Sequence, residues 1–292
     1  MMLNEFRKSP FLIIGGAPRS GTTALFRYLS DHPQVSAALT KEVRFFVDSD
    51  CPGPRFCYFE EGLESYAKYF LNHGISENKT LLEASPDYLY SKTALHIPSV
   101  LPNAKMVFVL RDPIERLVSC FRYAKQRGVL SQNLSFDEYV EKQLLNKVVA
   151  TTPLHYRALE WGRYDHYLAA FRGRMGSRMM TVEFSELRSN PELVMAGIAK
   201  FAKLSPGFYK NYSFEIENDS HNLRFKMLDK TYRGLRHSLQ HVLPKKGFLW
   251  EMFKWSNQNV LKKMLSFNKT AMEKVVISDS VREKLENYYQ LP

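Results

Sequence analysis

Cysteine is scarce in this chain: Cys51, Cys57 and Cys120 are the only three among 292 residues. Their number and irregular spacing exclude a disulfide framework. Cys51 and Cys57 could pair, and the simpler reading is three reduced thiols. Long apolar runs are also missing, since nothing approaches the roughly 18 residues that span a bilayer. The opening MMLNEFRKSPFLIIGGA sets charge ahead of a short apolar stretch, as a signal peptide does. That stretch runs straight into glycines and reads instead as a buried strand. The expectation is therefore a cytoplasmic protein. Acidic residues are outnumbered, with 30 Asp and Glu against 41 Lys and Arg, for a formal charge of +11. Such a balance favours anionic partners: nucleotides, sulfated or phosphorylated substrates, nucleic acid or an acidic membrane. Against these absences stand 45% hydrophobic and 13% aromatic residues, ample for a packed core and too many for a disordered chain.

The most informative absence is one lysine. In FLIIGGAPRSGTTALFRYLSDHP, residues 11–33, Gly16 and Gly21 have the spacing of a Walker A phosphate loop, and Thr22 and Thr23 follow. That motif requires Lys where Thr22 stands, whereas the cation here is Arg19, inside the loop. Backbone N–H groups of a glycine-rich turn, with the positive end of the next helix, make an anion site. Without the lysine, γ-phosphoryl transfer loses its main protein cation. The loop better suits a donor with a shorter charged chain and no obligatory metal, with Arg19 beside the group in transfer.

Periodicity places strands and helices in alternation. Residues 11–16 form an apolar run fit for a strand buried on both faces, and 22–30 carry Ala24, Leu25, Tyr28 and Leu29 at helical spacing. KMVFVL (105–110) is a second strand, and Pro113 suits the first turn of the helix after it. RMMTVEF (178–184) is a third strand, with Pro191 opening a helix to about Leu204. SDSVREKLENYYQ (278–290) is helical, with Ser278 or Asp279 as cap. Alternation of this kind predicts a mainly parallel α/β sheet. Residues 40–103 and 205–255 read as irregular. No clean linker is visible, so residues 1–292 are expected to form a single domain with a core at about 10–205 and a helical and loop region at about 206–292.

KMVFVLRDPIERLVSCFRY places Arg111 at a strand end and Ser119 eight residues later on the next helix. Ligands of parallel sheets gather at the carboxyl ends of strands, so both residues fall on the side of the glycine loop. A fixed guanidinium plus a hydroxyl suits an additional phosphate on a ribose. The bland alternative is that Arg111 pairs with Asp112 or caps a turn.

Together these segments resemble the sulfotransferases that use 3′-phosphoadenosine-5′-phosphosulfate (PAPS). GAPRSGTT resembles the family's loop for the 5′-phosphosulfate, and FVLRDPIERLVSCF its 3′-phosphate element. The likeness extends through KEVRFF (41–46), EEGLESYAKYF (60–70), LLEASPDYLY (81–90), GRYDHYLAAF (162–171) and TVEFSELRSNP (181–191), toward the branch with heparan-sulfate sulfotransferases and bacterial enzymes. It implies a P-loop NTPase-like three-layer fold, a central parallel sheet flanked by helices. It also implies an in-line transfer of a sulfuryl group from PAPS to a hydroxyl or amine of a small-molecule or carbohydrate acceptor, with no metal. Donor contacts are expected from Arg19, Ser20, Gly21, Thr22, Thr23, Arg111 and Ser119. Arg224 and the run Lys245, Lys246, Gly247 fall where the family closes a basic loop over the nucleotide. Glu42 matches the glutamate of the family's KE-x-x-FF pattern and is the expected base, in an apolar setting made by Val43, Phe45 and Phe46. Lys41 would meet the sulfate or orient Glu42. Many relatives have Lys at Arg19; heparan-sulfate relatives often have His at Arg44 and Lys at Ala84, which weakens any carry-over of a polysaccharide acceptor.

Two other classes compete. A P-loop small-molecule kinase requires the missing lysine and an acidic strand end, where this chain sets Arg111 ahead of Asp112. A non-catalytic basic module binding nucleotides or nucleic acid requires a reader motif or basic stripe, whereas the positive charge here is dispersed. The eight histidines are rival bases, though none lies in a recognisable motif.

Overall fold

Phe11–Gly16, the apolar run before the glycine loop, is a strand with all six residues buried. The structure is a computed structural model that describes residues 3–51, 57–71, 79–146, 148–149, 152–214, 221–223, 269–271 and 275–291. In chain order its elements are α1 (Leu3–Lys8), β1 (Phe11–Gly16), α2 (Thr22–Ser30), β2 (Val35–Ala37), α3 (Leu63–Leu71), β3 (Thr80–Ala84), α4 (Ile97–Val100), β4 (Ala104–Leu110), α5 (Pro113–Gln126), α6 (Phe136–Leu145), α7 (Tyr164–Met175), β5 (Met179–Glu183), α8 (Phe184–Ser189), α9 (Pro191–Ala202), β6 (His221–Leu223), β7 (Lys269–Ala271) and α10 (Asp279–Tyr289). Short 3₁₀ turns intervene, among them Pro86–Tyr90.

Strands β1 to β5 form one sheet in the order β2-β3-β1-β4-β5, and every pairing is parallel. Successive side chains of a strand point to opposite faces, and the core divides accordingly. Phe11 and Ile13 of β1, with Met106 and Phe108 of β4, join one apolar cluster with Tyr66 and Phe70 of α3 and Phe171 of α7. Leu12 and Ile14, with Val107 and Val109, join the other with Leu25 and Leu29 of α2 and Ile198 and Ala199 of α9. This is the predicted three-layer arrangement. Gly15 serves the packing directly, because a Cβ there would lie 2.7 Å from both Met106 and Phe108 side chains.

Two strands of this sheet, β2 and β3, escaped the sequence pattern. β3 lies within the stretch read as irregular, yet it is the inner neighbour of β1, with Ile13 paired to Glu83. A charged residue in the middle of TLLEA breaks the apolar signature. β5 ends one residue earlier than expected, and Phe184 starts α8. Ser278 does cap α10, its hydroxyl accepting the Val281 N–H at 3.4 Å.

The chain divides into two compact units, residues 1–218 with 277–292 and residues 219–276. Within the second, β6 and β7 pair antiparallel. The three thiols are free of disulfides, with Cys57 buried.

Glu83 has no exposed surface. Burial pushes its carboxyl up to about 7 from an ordinary 4.5, although the hydrogen bond from Ser85 opposes this. A folded-state value above the unfolded one means that folding retains a proton. That stability is complete below about pH 4.5 and is lost as pH rises through about 7. Glu83→Gln is neutral throughout and removes the dependence. Thermal melts near pH 5.5 and near pH 8 are expected to show the wild-type chain losing about 2 kcal/mol relative to the variant between them. Parallel behaviour of the two chains would contradict the buried, proton-retaining carboxyl.

Candidate active site

The carboxyl end of β1 delivers the chain into Ala17–Gly21, and two residues there take left-handed backbone: Arg19 at φ 68° and Gly21 at φ 85°. Gly21 precedes α2 as its N-cap. Its hydrogen is required twice, since the backbone is left-handed and a Cβ would fall 2.8 Å from the Phe184 ring. The first N–H groups of a helix have no partner within it; here the turn accepts from α2 at Leu25, whose N–H donates to the Gly21 carbonyl at 3.1 Å. The N–H groups of Thr22, Thr23 and Ala24 therefore form the open positive end of α2. Ser20 and Thr22 are buried beneath the turn.

The second cradle meets the first. Arg111 follows β4, and its Nη1 donates to the Arg19 carbonyl at 3.5 Å. Its Nε pairs with Glu115 at 3.1 Å, and its guanidinium lies 4.9 Å from the Phe184 ring centre. Tyr164 fixes the strand end by donating to the Arg111 carbonyl at 2.9 Å. Arg19 Nε donates to Ser119 Oγ at 3.3 Å, and the guanidinium stacks over Tyr123 at 4.5 Å. Burial lowers the Arg19 pKa, which the nearby Arg111 also pushes down and Glu42 pushes up; an arginine stays protonated all the same. Arg19, Arg111, Ser119 and Glu42 thus share one electrostatic neighbourhood. A cleft of about 570 Å³ opens beside Arg111, lined also by Phe184, Ser185, Arg188 and the carboxylates Glu115 and Glu183.

Asp112, the acidic residue a kinase would turn to magnesium, is the N-cap of α5. Its side chain accepts the Glu115 N–H at 2.8 Å. His32, a rival base, is buried in the helical layer. Its Nδ1 accepts the Gln34 N–H at 3.1 Å, and its Nε2 lies 3.0 Å from the Ser205 carbonyl.

Glu42 sits in a loop bound to β3, its N–H donating to the Ala84 carbonyl at 2.9 Å. The apolar setting expected around its carboxylate is absent. Val43, Phe45 and Phe46 point into the core, while the Glu42 side chain is 48% exposed and paired with Lys41 at 2.7 Å. The backbone explains the split: Glu42 at φ 67° and Arg44 at φ 61° are both left-handed, so neighbouring side chains diverge. Arg44, where relatives often carry His, is buried and pairs with Asp87 at 3.1 Å. Ala84 is buried on β3.

Sequence reasoning missed Tyr123, Phe184 and Tyr164, whereas Asp87 stands in SPDY as either a wall of the acceptor pocket or a pairing residue, and it pairs with Arg44. Tyr123 had a signal, because it follows Ser119 by one helical turn; Phe184 declares itself only through strands that pair in space. Arg224, Lys245, Lys246 and Gly247 lie outside the described residues. Among the described residues, no group of three or more His, Cys, Asp or Glu is placed to hold a metal.

Comparison with known proteins agrees with this geometry. The sequence matches the sulfotransferase domain family over residues 9–247. A solved sulfotransferase from Alicyclobacillus acidocaldarius superposes with a TM-score of 0.60 at 27% identity, covering 83% of this chain and 98% of that one. A bifunctional heparan sulfate N-deacetylase/N-sulfotransferase of Homo sapiens is 26% identical over 226 residues, 72% of this chain and 23% of that protein. The membrane-associated sulfotransferase kil1 of Dictyostelium discoideum is 37% identical over 119 residues, 40% of this chain and 23% of kil1. The chain thus spans about a quarter of the length of these two curated relatives. Kil1 overturns the cytoplasmic expectation, which rested on the lack of an apolar span. Among the described residues no helix is long and apolar enough to cross a membrane, but a membrane-associated relative shows that this does not fix a compartment. By its sequence match and its sheet, the chain belongs to the sulfotransferase domain family.

Proposed function

We propose that the chain transfers the sulfuryl group of PAPS to a hydroxyl or amine of a small-molecule or carbohydrate acceptor, releasing adenosine 3′,5′-bisphosphate. The observation that carries this reading is the contact between the two anion cradles, Arg111 reaching the Arg19 carbonyl while Ser119 holds the Arg19 guanidinium. Two phosphates on one nucleoside match two cradles at one rim of a sheet. The donor set fits that ligand: open N–H groups at the start of α2, two arginines, the Ser119 hydroxyl, and an aromatic ring, Phe184, in the cleft beside Arg111. Similarity to a heparan sulfate N-deacetylase/N-sulfotransferase supports a carbohydrate among the acceptors to be tried.

Each residue has a part in an in-line displacement. The N–H groups of Thr22 and Thr23 and the guanidinium of Arg19 meet negative charge building on the bridging phosphate oxygen as its bond to sulfur breaks. Glu42 takes the proton of the acceptor as the new bond from oxygen or nitrogen to sulfur forms. Lys41, 2.7 Å from Glu42, orients that carboxylate and faces the transferred group. Arg111 and Ser119 hold the 3′-phosphate.

A labelled-PAPS transfer screen over hydroxyl and amine acceptors, with EDTA present, tests the reading; full transfer with EDTA is expected, and abolition by the chelator would point to a metal-dependent reaction. Arg19→Ala is expected to lower turnover about 10²- to 10³-fold, the scale of a lost oxyanion contact. Glu42→Gln should lower it about 10²- to 10⁴-fold, with donor affinity less affected in both. Undiminished turnover in the glutamine variant removes Glu42 from the base role. Arg111→Ala should weaken adenosine 3′,5′-bisphosphate binding by about 10- to 100-fold, the worth of a charged hydrogen bond. Calorimetry measures this, and unchanged affinity would refute the 3′-phosphate assignment.

A further inference from the structure

The loop that carries Glu42 is held in an unfavourable backbone form by a buried chain of hydrogen bonds. Left-handed geometry costs a non-glycine residue about 1–2 kcal/mol, and Glu42 and Arg44 both adopt it. Such residues persist only where their surroundings over-determine them. Two bonds tie this segment to the end of β3. Glu42 N–H donates to the Ala84 carbonyl at 2.9 Å, and Arg44 N–H donates to Ser85 Oγ at 2.9 Å. A serine hydroxyl has a single proton, and Ser85 gives its own to Glu83 Oε1 at 2.5 Å. The direction of the chain is thereby fixed: Glu83 accepts from Ser85, which accepts from Arg44. An acceptor pulling on the Ser85 proton makes the serine oxygen a stronger acceptor in turn.

Glu83 is wholly buried, and its Oε2 makes no hydrogen bond among the described residues. A carboxyl is a costly group to bury for packing alone. Its charged and titratable neighbours are Lys41 and Glu42 on the loop, Cys57 ahead of α3 and Tyr66 on α3, and Tyr88 in the turn after β3.

We propose that Glu83, acting through Ser85, is a positioning residue that holds the Glu42–Arg44 segment in its left-handed form and so places the Glu42 carboxylate. The inference rests on Glu42 as the base. Glu83 does not touch the reacting atoms; it sets the geometry of the residue that does.

The test compares Ser85→Ala, Glu83→Ala and Glu83→Gln with the wild-type chain by amide hydrogen exchange. It also measures release of adenosine 3′,5′-bisphosphate from PAPS, with water as acceptor. Ser85→Ala and Glu83→Ala should speed exchange of the Arg44 amide about tenfold or more, while the β1 amides of Leu12 and Ile14 keep their protection. Glu83→Gln retains an acceptor oxygen for Ser85 and should restore the wild-type exchange rate. Turnover should fall about 10- to 100-fold in the two alanine variants, with little change in KM for PAPS, and recover in Glu83→Gln. A residue acting through Glu42 has nothing left to lose once that side chain is gone. Adding Ser85→Ala to Glu42→Gln should therefore cost nothing further. An unchanged Arg44 amide in both alanine variants, or an undiminished Ser85→Ala loss in the Glu42→Gln background, overturns the proposal. Full turnover in Glu42→Gln alone instead removes the base assignment, and the exchange data then still decide whether Glu83 holds the loop.

Discussion

Two guanidinium groups held at one rim of a parallel sheet set the terms for everything around them. Arg111 reaches the carbonyl of Arg19 at 3.5 Å, and its charge adds to burial in lowering the Arg19 pKa. Arg111 has Glu115 at 3.1 Å in compensation. Arg19 has a serine hydroxyl and an aromatic face, neither of which carries a negative charge. An anion spanning the two guanidinium groups relieves their repulsion as well as gaining contacts. The sheet order makes the convergence unavoidable. β1 lies between β3 and β4, so the loops after those three strands share one edge, and they carry Arg19, the Ser85–Asp87 segment and Arg111.

Backbone strain is distributed in a way that agrees with this placement. Among the described residues, five non-glycines have positive φ: Arg19, Glu42, Arg44, Lys203 and Gln290. Lys203 and Gln290 are left-handed C-caps of helices, an ordinary way to end one. The other three lie in the two loops that meet at the candidate site. Unusual backbone tends to gather where function requires a side chain to face an otherwise unfavoured direction. At Glu42 the direction is outward, away from Val43, Phe45 and Phe46, which a regular strand could not achieve while burying three neighbours.

Much of this was legible in the residues. The apolar runs of β1 and β4, each buried on both faces, stood out because parallel sheets demand them. The missing Walker lysine and the interval from Arg111 to Ser119 point to two anion cradles in the residues alone. What stayed hidden depended on partners distant in sequence. β3 contains Glu83, a carboxyl whose place beside SPDY suits a pocket wall or a cap, and which Ser85 and the strand pairing with Ile13 instead enclose. Adjacency in sequence to Val43 and Phe45 does not give the Glu42 carboxylate an apolar setting, since its side chain is exposed. A left-handed residue turns its side chain off the line its neighbours follow, and nothing in KEVRFF marks that turn.

The two substitutions that set this chain apart from heparan-sulfate relatives acquire a physical meaning from the packing. Arg44, at a position often occupied there by His, is 5% exposed and pairs with Asp87 at 3.1 Å, with Cys51 Sγ 3.4 Å from its Nη2. Ala84, at a position often occupied there by Lys, is buried among apolar side chains of the α2 face. A buried guanidinium joined to a carboxylate is neutral as a pair and does not attract a charged acceptor. Alanine at position 84 thus carries no charge and the Arg44 charge is offset by Asp87, while Arg19 and Arg111 are untouched. The remaining cation beside Glu42 in that loop is Lys41, itself 2.7 Å from the Glu42 carboxylate. Positive charge among the described residues of the site is thus concentrated on Arg19 and Arg111 rather than on the loop that carries Glu42.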